Sequence, residues 1–259
     1  MIQDIGEHTF DNQYHPCPPD RESYALYYED HAALVRKYPD RIEFPKFRDI
    51  ERLNEDIYED AVYLFSIDGE RYYLVEEINR ERQSHFTMEN TEIFRYAEPQ
   101  YLAFAGITGY QLHNWYQSRR FCGKCGRRMK KDSKERMLYC ESCHNMEFPK
   151  ICPAVIIGVT DGDKILMSQY AGRTYKKYAL LAGFTEIGET LEETVQREVM
   201  EEVGLKVKNI RYYKSQPWSF TDTLLMGFYC DLDGEAAITL DREELAMAEW
   251  FQRDEIPVE

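Results

Sequence analysis

The sequence predicts an α/β protein: a small N-terminal α/β domain, a cysteine-bearing ribbon, and a C-terminal α/β/α sandwich with a mixed sheet. Three observations predict it. β-rich runs broken by Asp-Gly turns occur in both halves, two C-x-x-C pairs lie between them, and one later helix has both ends marked by residue type. With 259 residues, 43% hydrophobic and 31% charged, the chain can bury more than one core and is not of disordered composition.

In chain order, residues 1–95 are read as the small α/β domain. Its clearest element is 61–77, where Asp68-Gly69 separates two β-rich runs as a hairpin turn would. Residues 96–120 are read as a helical linker, because Leu102, Phe104 and Ala105 fall at near-helical spacing after Pro99. Residues 121–148 form the ribbon. Residues 149–259 form the last domain, with a hairpin from Ala154–Val159 and Lys164–Met167, a helix near 190–203, and strands near 210–214 and 224–231.

Cys122, Cys125, Cys140 and Cys143 give C-x2-C-x14-C-x2-C. Each pair makes a tight knuckle and the intervening hairpin brings the pairs together, so tetrahedral ligation of one structural Zn²⁺ per chain is expected, with no coordination position left open. Cys17, Cys152 and Cys230 read as lone, inert thiols, and His144 beside Cys143 as a residue outside a completed shell. Seven cysteines arranged this way fit a reducing compartment better than a disulfide framework. No apolar run approaches the roughly 20 residues of a membrane helix, and the first residues lack a signal-like pattern; the expected protein does not span a membrane and is cytoplasmic. A net charge of −15 opposes non-specific polyanion binding, although residues 117–149 hold nine Lys+Arg against four Asp+Glu and so are locally basic.

The helix near 190–203 carries the strongest chemical signal. Thr190-x-x-Glu193 reads as a capping box and Gly204 as a stop. Glu198, Glu201 and Glu202 then stand at i, i+3 and i+4, on one face, where like charges repel unless a cation joins them. Oxygen-only ligands suit Mg²⁺ or Mn²⁺, and Mg²⁺ takes a few carboxylates together with substrate phosphates. Taken alone, E-x-x-E-E would be a solvated acidic face.

The wider segment resembles the Nudix box, G-x5-E-x7-R-E-U-x-E-E-x-G-U with U aliphatic, at Gly183, Glu189, Arg197, Glu198, Val199, Glu201, Glu202, Gly204 and Leu205. The resemblance implies the Nudix fold and hydrolysis of a nucleoside diphosphate linked to another group. It implies catalytic roles for Glu198, Glu201, Glu202, Arg197 and Glu189: Glu198 and Glu202 as metal ligands, Glu201 as ligand or base, and Arg197 with Glu189 as an orienting pair. Bound cations would neutralise charge on the bridging oxygens and lower the pKa of an attacking water.

A cysteine ribbon before such a box, followed by 215-SQPWSFTDT-223, resembles the bacterial NADH pyrophosphatase family, whose motif is S-Q-P-W-P-F-P-x-S. Ser215, Gln216, Pro217, Trp218 and Phe220 match it, while Ser219, Thr221 and Thr223 depart, exchanging two prolines for hydroxyls in what is read as a less rigid loop. The resemblance places Gln216, Pro217, Trp218, Ser219, Phe220, Thr221, Asp222 and Thr223 at the substrate, with Glu135, Phe148, Phe184 and, more loosely, Arg95. It adds Ala182, through its backbone, and Glu244 to the catalytic metal. For each aromatic, core packing is the competing reading. The resemblance also implies a homodimer; members of that family usually continue into a C-terminal helix that contributes to the pocket, whereas the sequence here ends at Glu259, so that contact is not assigned.

The implied activity is hydrolysis of NAD(H) to NMN(H) and AMP, with removal of NAD caps from RNA as a related reaction. A second enzyme reading is an ADP-ribose or dinucleoside polyphosphate hydrolase. A reading from another class is a Nudix domain kept as a ligand sensor or RNA-binding module, which would not need the metal carboxylates.

Overall fold

Asp68 and Gly69 both adopt positive φ, 53° and 80°, and so close a two-residue turn between paired strands Val62–Ile67 and Glu70–Val75. This is the hairpin expected at 61–77. The computed structural model describes residues 1–79, 85–172 and 177–256, so the last three residues of the expected 149–259 domain lie outside it. The chain divides into one unit of residues 1–150 with 219–221 and another of 151–218 with 222–259.

The first unit contains β1 (Phe10–Asp11), β2 (Tyr24–Glu29), β3 (Ala32–Lys37), β4 (Ile42–Glu43), the single turn α1 (Phe47–Ile50), β5 (Val62–Ile67), β6 (Glu70–Val75), β7 (Thr87–Asn90), the long helix α2 (Gln100–Ser118), and three two-residue ribbon strands, β8 (Lys130–Lys131), β9 (Leu138–Tyr139) and β10 (Met146–Glu147). Its main sheet runs β1-β5-β6-β2-β3-β4, with β7 also on β3, and the β2–β6 pair is parallel, so the sheet is mixed. The segment read as a helical linker is α2. Leu102, Ala105, Ile107, Leu112 and Trp115 are buried around most of its circumference, in the same core as Leu26, Leu64 and Tyr72 of the sheet. A helix apolar on nearly every side is a core helix.

In the second unit stand β11 (Cys152–Asp161), β12 (Lys164–Tyr170), β13 (Leu181–Phe184), α3 (Leu191–Val203), β14 (Val207–Trp218), β15 (Thr223–Leu232) and β16 (Leu245–Gln252). The sheet order is β14-β15-β11-β12-β16, with β13 on the first half of β11; β11–β15 is parallel and the other pairs are antiparallel. The mixed sheet is as expected. Among the described residues this unit has one α-helix, α3, so the second helical layer of a three-layer sandwich is not among them. Val195, Val199 and Val203, at i, i+4 and i+8, are fully buried against Val155, Ile157 and Val159 of β11. Each such burial contributes about 1.5–3 kcal/mol and fixes which face of α3 turns inward.

Candidate functional site

Both cysteine knuckles fold by the same local rule. Cys122 N–H donates to Arg127 O (2.7 Å) and Gly126 N–H to Cys122 O (2.8 Å); in the second knuckle Cys140 N–H donates to Asn145 O (2.9 Å) and His144 N–H to Cys140 O (2.8 Å). Gly126 and His144 are equivalent and both have positive φ, 72° and 58°, so His144 is the turn residue of its knuckle. The four Sγ atoms lie within 4.8 Å of one another, with Cys122–Cys143 at 3.5 Å and Cys125–Cys140 at 3.4 Å. Tetrahedral Zn–S bonds of about 2.3 Å require sulfurs about 3.8 Å apart, so the thiols are already gathered to the size of a structural zinc.

The acidic helix begins and ends as its residue types dictate. Thr190 Oγ1 accepts from Glu193 N–H (3.2 Å), Glu193 Oε2 accepts from Thr190 N–H (2.8 Å), and Gly204 closes the helix at φ 69°. On α3, Glu198 and Glu202 are only 8% and 3% exposed, while Glu201 is exposed. Glu202 Oε2 is buried with no hydrogen-bond partner. Burial, reinforced by the charges of Glu198, Glu244 and Asp241 and opposed by an Ala182 backbone hydrogen bond, pushes the Glu202 carboxyl up to about 8. Burial also raises Glu198, against the pull of Arg197. A Cβ at Gly183 would fall 2.0 Å from the Glu198 carboxyl carbon, so the glycine leaves the space that this carboxyl occupies between β13 and α3.

Arg197 organises the neighbouring groups. Its Nε and Nη2 donate to the two oxygens of Glu189 (2.6 and 3.0 Å), Nη1 to Glu198 Oε1 (2.7 Å) and Glu201 Oε2 (2.9 Å), and Nη2 also to Phe184 O (2.9 Å). These bonds draw the Glu189 carboxyl down to about 2. Thr194 Oγ1 adds a bond to Glu189 Oε2 (3.0 Å), a contact that sequence reasoning did not single out.

Buried, mutually repelling carboxylates with an orphaned oxygen fit a hard divalent cation, which would satisfy the oxygen and offset the repulsion. Glu198, Glu202 and Glu244 act on one another through their charges, and the Ala182 backbone bonds to Glu202, so the structure places these four expected residues in one neighbourhood.

The 215–223 segment differs from the expected loop. β14 runs to Trp218 and β15 starts at Thr223, with Gln216↔Leu225, Pro217↔Leu224 and Trp218↔Thr223 in register, leaving a four-residue turn. Pairing with β15 holds Gln216–Trp218, while Ser219 and Thr221, where the two prolines are lost, fall in the unpaired turn. Asp222 takes positive φ (56°) and its carbonyl accepts from Cys152 N–H (2.7 Å). Within the first unit, Ser219 is buried, Thr221 follows two residues on, and the Arg95 guanidinium lies 4.2 Å over the Phe220 ring. Phe184 and Phe148 are 55% and 53% exposed, so core packing, the competing reading for both, does not describe them. Glu135 is exposed in the ribbon turn that Asp132 Oδ1 caps through its N–H (2.9 Å). Asp241, three residues before Glu244, was not legible as part of this region; an Asp opening a turn was its only signal.

Residues 150–259 match the NUDIX domain model, and residues 117–148 match the NADH pyrophosphatase zinc ribbon domain. Similar curated proteins include two called NAD-capped RNA hydrolase NudC. One, from Photorhabdus laumondii, is 43% identical over 150 residues, 58% of each chain; the other, from Pectobacterium atrosepticum, is 44% identical over 149 residues, 58% of this chain and 57% of its own. The match thus spans less than two thirds of those relatives. A crystal structure of a Nudix hydrolase from Nitrosomonas europaea is 26% identical, covers 53% of this chain and 80% of its own, and has a TM-score of 0.46. The knuckles and the capped acidic helix therefore sit in two recognised modules, and the C-terminal part of this chain is a Nudix domain preceded by a zinc ribbon of the NADH pyrophosphatase kind.

Proposed function

We propose that this protein hydrolyses the pyrophosphate of NAD(H) to NMN(H) and AMP, and removes NAD caps from RNA, using Mg²⁺ or Mn²⁺. The observation that carries the reading is the buried, unpartnered Glu202 Oε2 among the carboxylates of the Nudix helix. The names of the similar proteins and of the ribbon domain support the choice of dinucleotide.

Bound cation would supply charge neutralisation at the phosphates and a more acidic water. In this reading Glu198, Glu202, Glu244 and the Ala182 backbone hold it, and Arg197, tied to Glu189, holds Glu198 in place. The water oxygen bonds to one phosphorus as the bridging P–O bond breaks, the leaving mononucleotide keeps the bridging oxygen, and the water's proton passes to Glu201, the exposed carboxylate of α3. The exposed Phe184 ring offers a face for a base, and the resemblance to the NADH pyrophosphatase family assigns Phe148, Arg95, Glu135 and residues 216–223 to the substrate. The same reading makes the protein cytoplasmic and a homodimer. Among the described residues, no helix is long and apolar enough to cross a membrane.

Chromatography of products from NADH, NAD⁺, ADP-ribose, diadenosine polyphosphates and NAD-capped RNA, with Mg²⁺, with Mn²⁺ and with neither, tests it. Metal-dependent NMN(H) and AMP, with NAD(H) or the capped RNA cut best, is the expected result. Cleavage of ADP-ribose or polyphosphates alone would replace the substrate; binding without cleavage would make the domain a sensor.

A further inference from the structure

Glu244 lies more than forty residues beyond the Nudix helix, so something must bring it back. The carbonyls at the end of an α-helix lack partners within the helix. Here Val203 O accepts from Thr239 N–H (2.9 Å) and Glu202 O accepts from Asp241 N–H (2.9 Å), so residues 239–241 lie along the C-terminal end of α3. The fit is close: a Cβ on Gly204 would come within 2.9 Å of Thr239 Cβ. Asp241 is thus joined through its backbone to the very residue whose side chain is the buried Glu202.

Asp241 then shapes the turn after it. Its Oδ1 accepts from Glu243 N–H (2.9 Å), and its carbonyl accepts from Leu245 N–H (2.9 Å), closing a turn around Glu244. Leu245 is 1% exposed in the core, and Glu244 O accepts from Ala171 N–H (2.8 Å), so the far side of the turn is fixed as well. Glu244 itself is exposed and depends on this turn for its position.

We propose that Asp241 is a positioning residue for the divalent-cation site: through the Oδ1 bond to Glu243 N–H it sets Glu244 relative to Glu202. The inference rests on the metal-site reading above. What Asp241 contributes is an acceptor at Oδ1, so asparagine can replace it and alanine cannot.

The test is Mn²⁺ binding to the full-length, zinc-loaded protein without substrate, read from the free-Mn²⁺ electron paramagnetic resonance signal, with melting temperature and zinc content measured alongside. Asp241→Ala should weaken Mn²⁺ binding about tenfold, as loss of a partner that orients a ligand does. Asp241→Asn should bind within about threefold of the parent, since it retains that partner. Equal binding by Asp241→Ala and the parent would overturn the inference, as would Asp241→Asn binding as weakly as Asp241→Ala. Should Asp241→Ala not fold, Asp241→Asn and Asp241→Ser decide, since both keep an acceptor for the turn and neither keeps the charge: parent-like binding by both supports the inference, and loss in both overturns it. Glu244→Gln separates the two readings. If the parent binds no Mn²⁺, or Glu244→Gln binds as the parent does, the assignment of Glu244 to the metal fails; if Glu244→Gln weakens binding while Asp241→Ala does not, only the role of Asp241 fails.

Discussion

Arg197 grips Glu189 through two parallel N–H···O bonds, Nε to Oε1 at 2.6 Å and Nη2 to Oε2 at 3.0 Å, while its remaining donors reach Glu198, Glu201 and the Phe184 carbonyl. Five bonds from one rigid guanidinium hold the loop before α3 and two carboxylates on it in a single arrangement. Lysine cannot reproduce this, because an ammonium is a point charge without the fork. Arg197→Lys should lower kcat on NADH by roughly tenfold or more, the scale of losing an orienting partner. In a double-mutant cycle with Glu189→Gln the losses should be far from additive, because both changes break the same bonds. Steady-state kinetics check it, and additive losses would show that the pair does not act as a unit.

Glu202 sets a pH dependence whose sign is dictated by its burial. Its folded-state pKa is about 8 against an ordinary 4.5, so between those values the folded protein holds a proton that the unfolded chain has released. Without added divalent cation, this group therefore lowers stability as pH rises from 4.5 to 8. Glu202→Gln removes the titration. It should melt higher than the parent at pH 8, by an amount on the order of a kcal/mol or more, with the difference shrinking towards pH 5. Adding Mn²⁺ should stabilise the parent and not the variant. Melting curves from pH 5 to 9 with and without Mn²⁺ measure this.

Gly183 leaves the space that the Glu198 carboxyl fills. Gly183→Ala would place a methyl 2.0 Å from its carbon, and either β13 or Glu198 must then move. Overpacking of this kind costs about 1–3 kcal/mol. The variant should melt lower and bind Mn²⁺ more weakly while its zinc content stays unchanged; calorimetry and metal titration together would show both effects.

Zinc loss should be felt in the first unit. Cys122 and Cys140 are 3% and 1% exposed and belong to the same core cluster as Met129, Leu138, Leu102 and Tyr72. Cys140→Ser leaves three ligands. It should release zinc to a chromogenic chelator and lower the melting temperature of the first unit, because the energy of binding a structural zinc is folding energy. Unchanged melting in protein shown to lack zinc would separate the ribbon from that core.

What the sequence by itself determined is local. Two knuckles of spaced cysteines, a Thr-x-x-Glu start, a glycine stop and three glutamates on one helical face are written within a turn or two of chain, and bonds between near neighbours enforce them. The hairpin at Asp68-Gly69 is of the same kind. Tertiary structure decided the rest. It made α2 a core helix, because the strands that cover it come from residues far away in the chain. It turned the 215–223 segment into paired strands and a short turn, because β15 was there to pair with. It buried Glu202 and left one of its oxygens without a partner, which depends on β13, on the α3 valines and on the Glu244 turn, none of them specified by the spacing of the carboxylates. It also tied Asp241 to the end of α3, since the partner of a helix's last carbonyls is chosen by whatever part of the chain packs there.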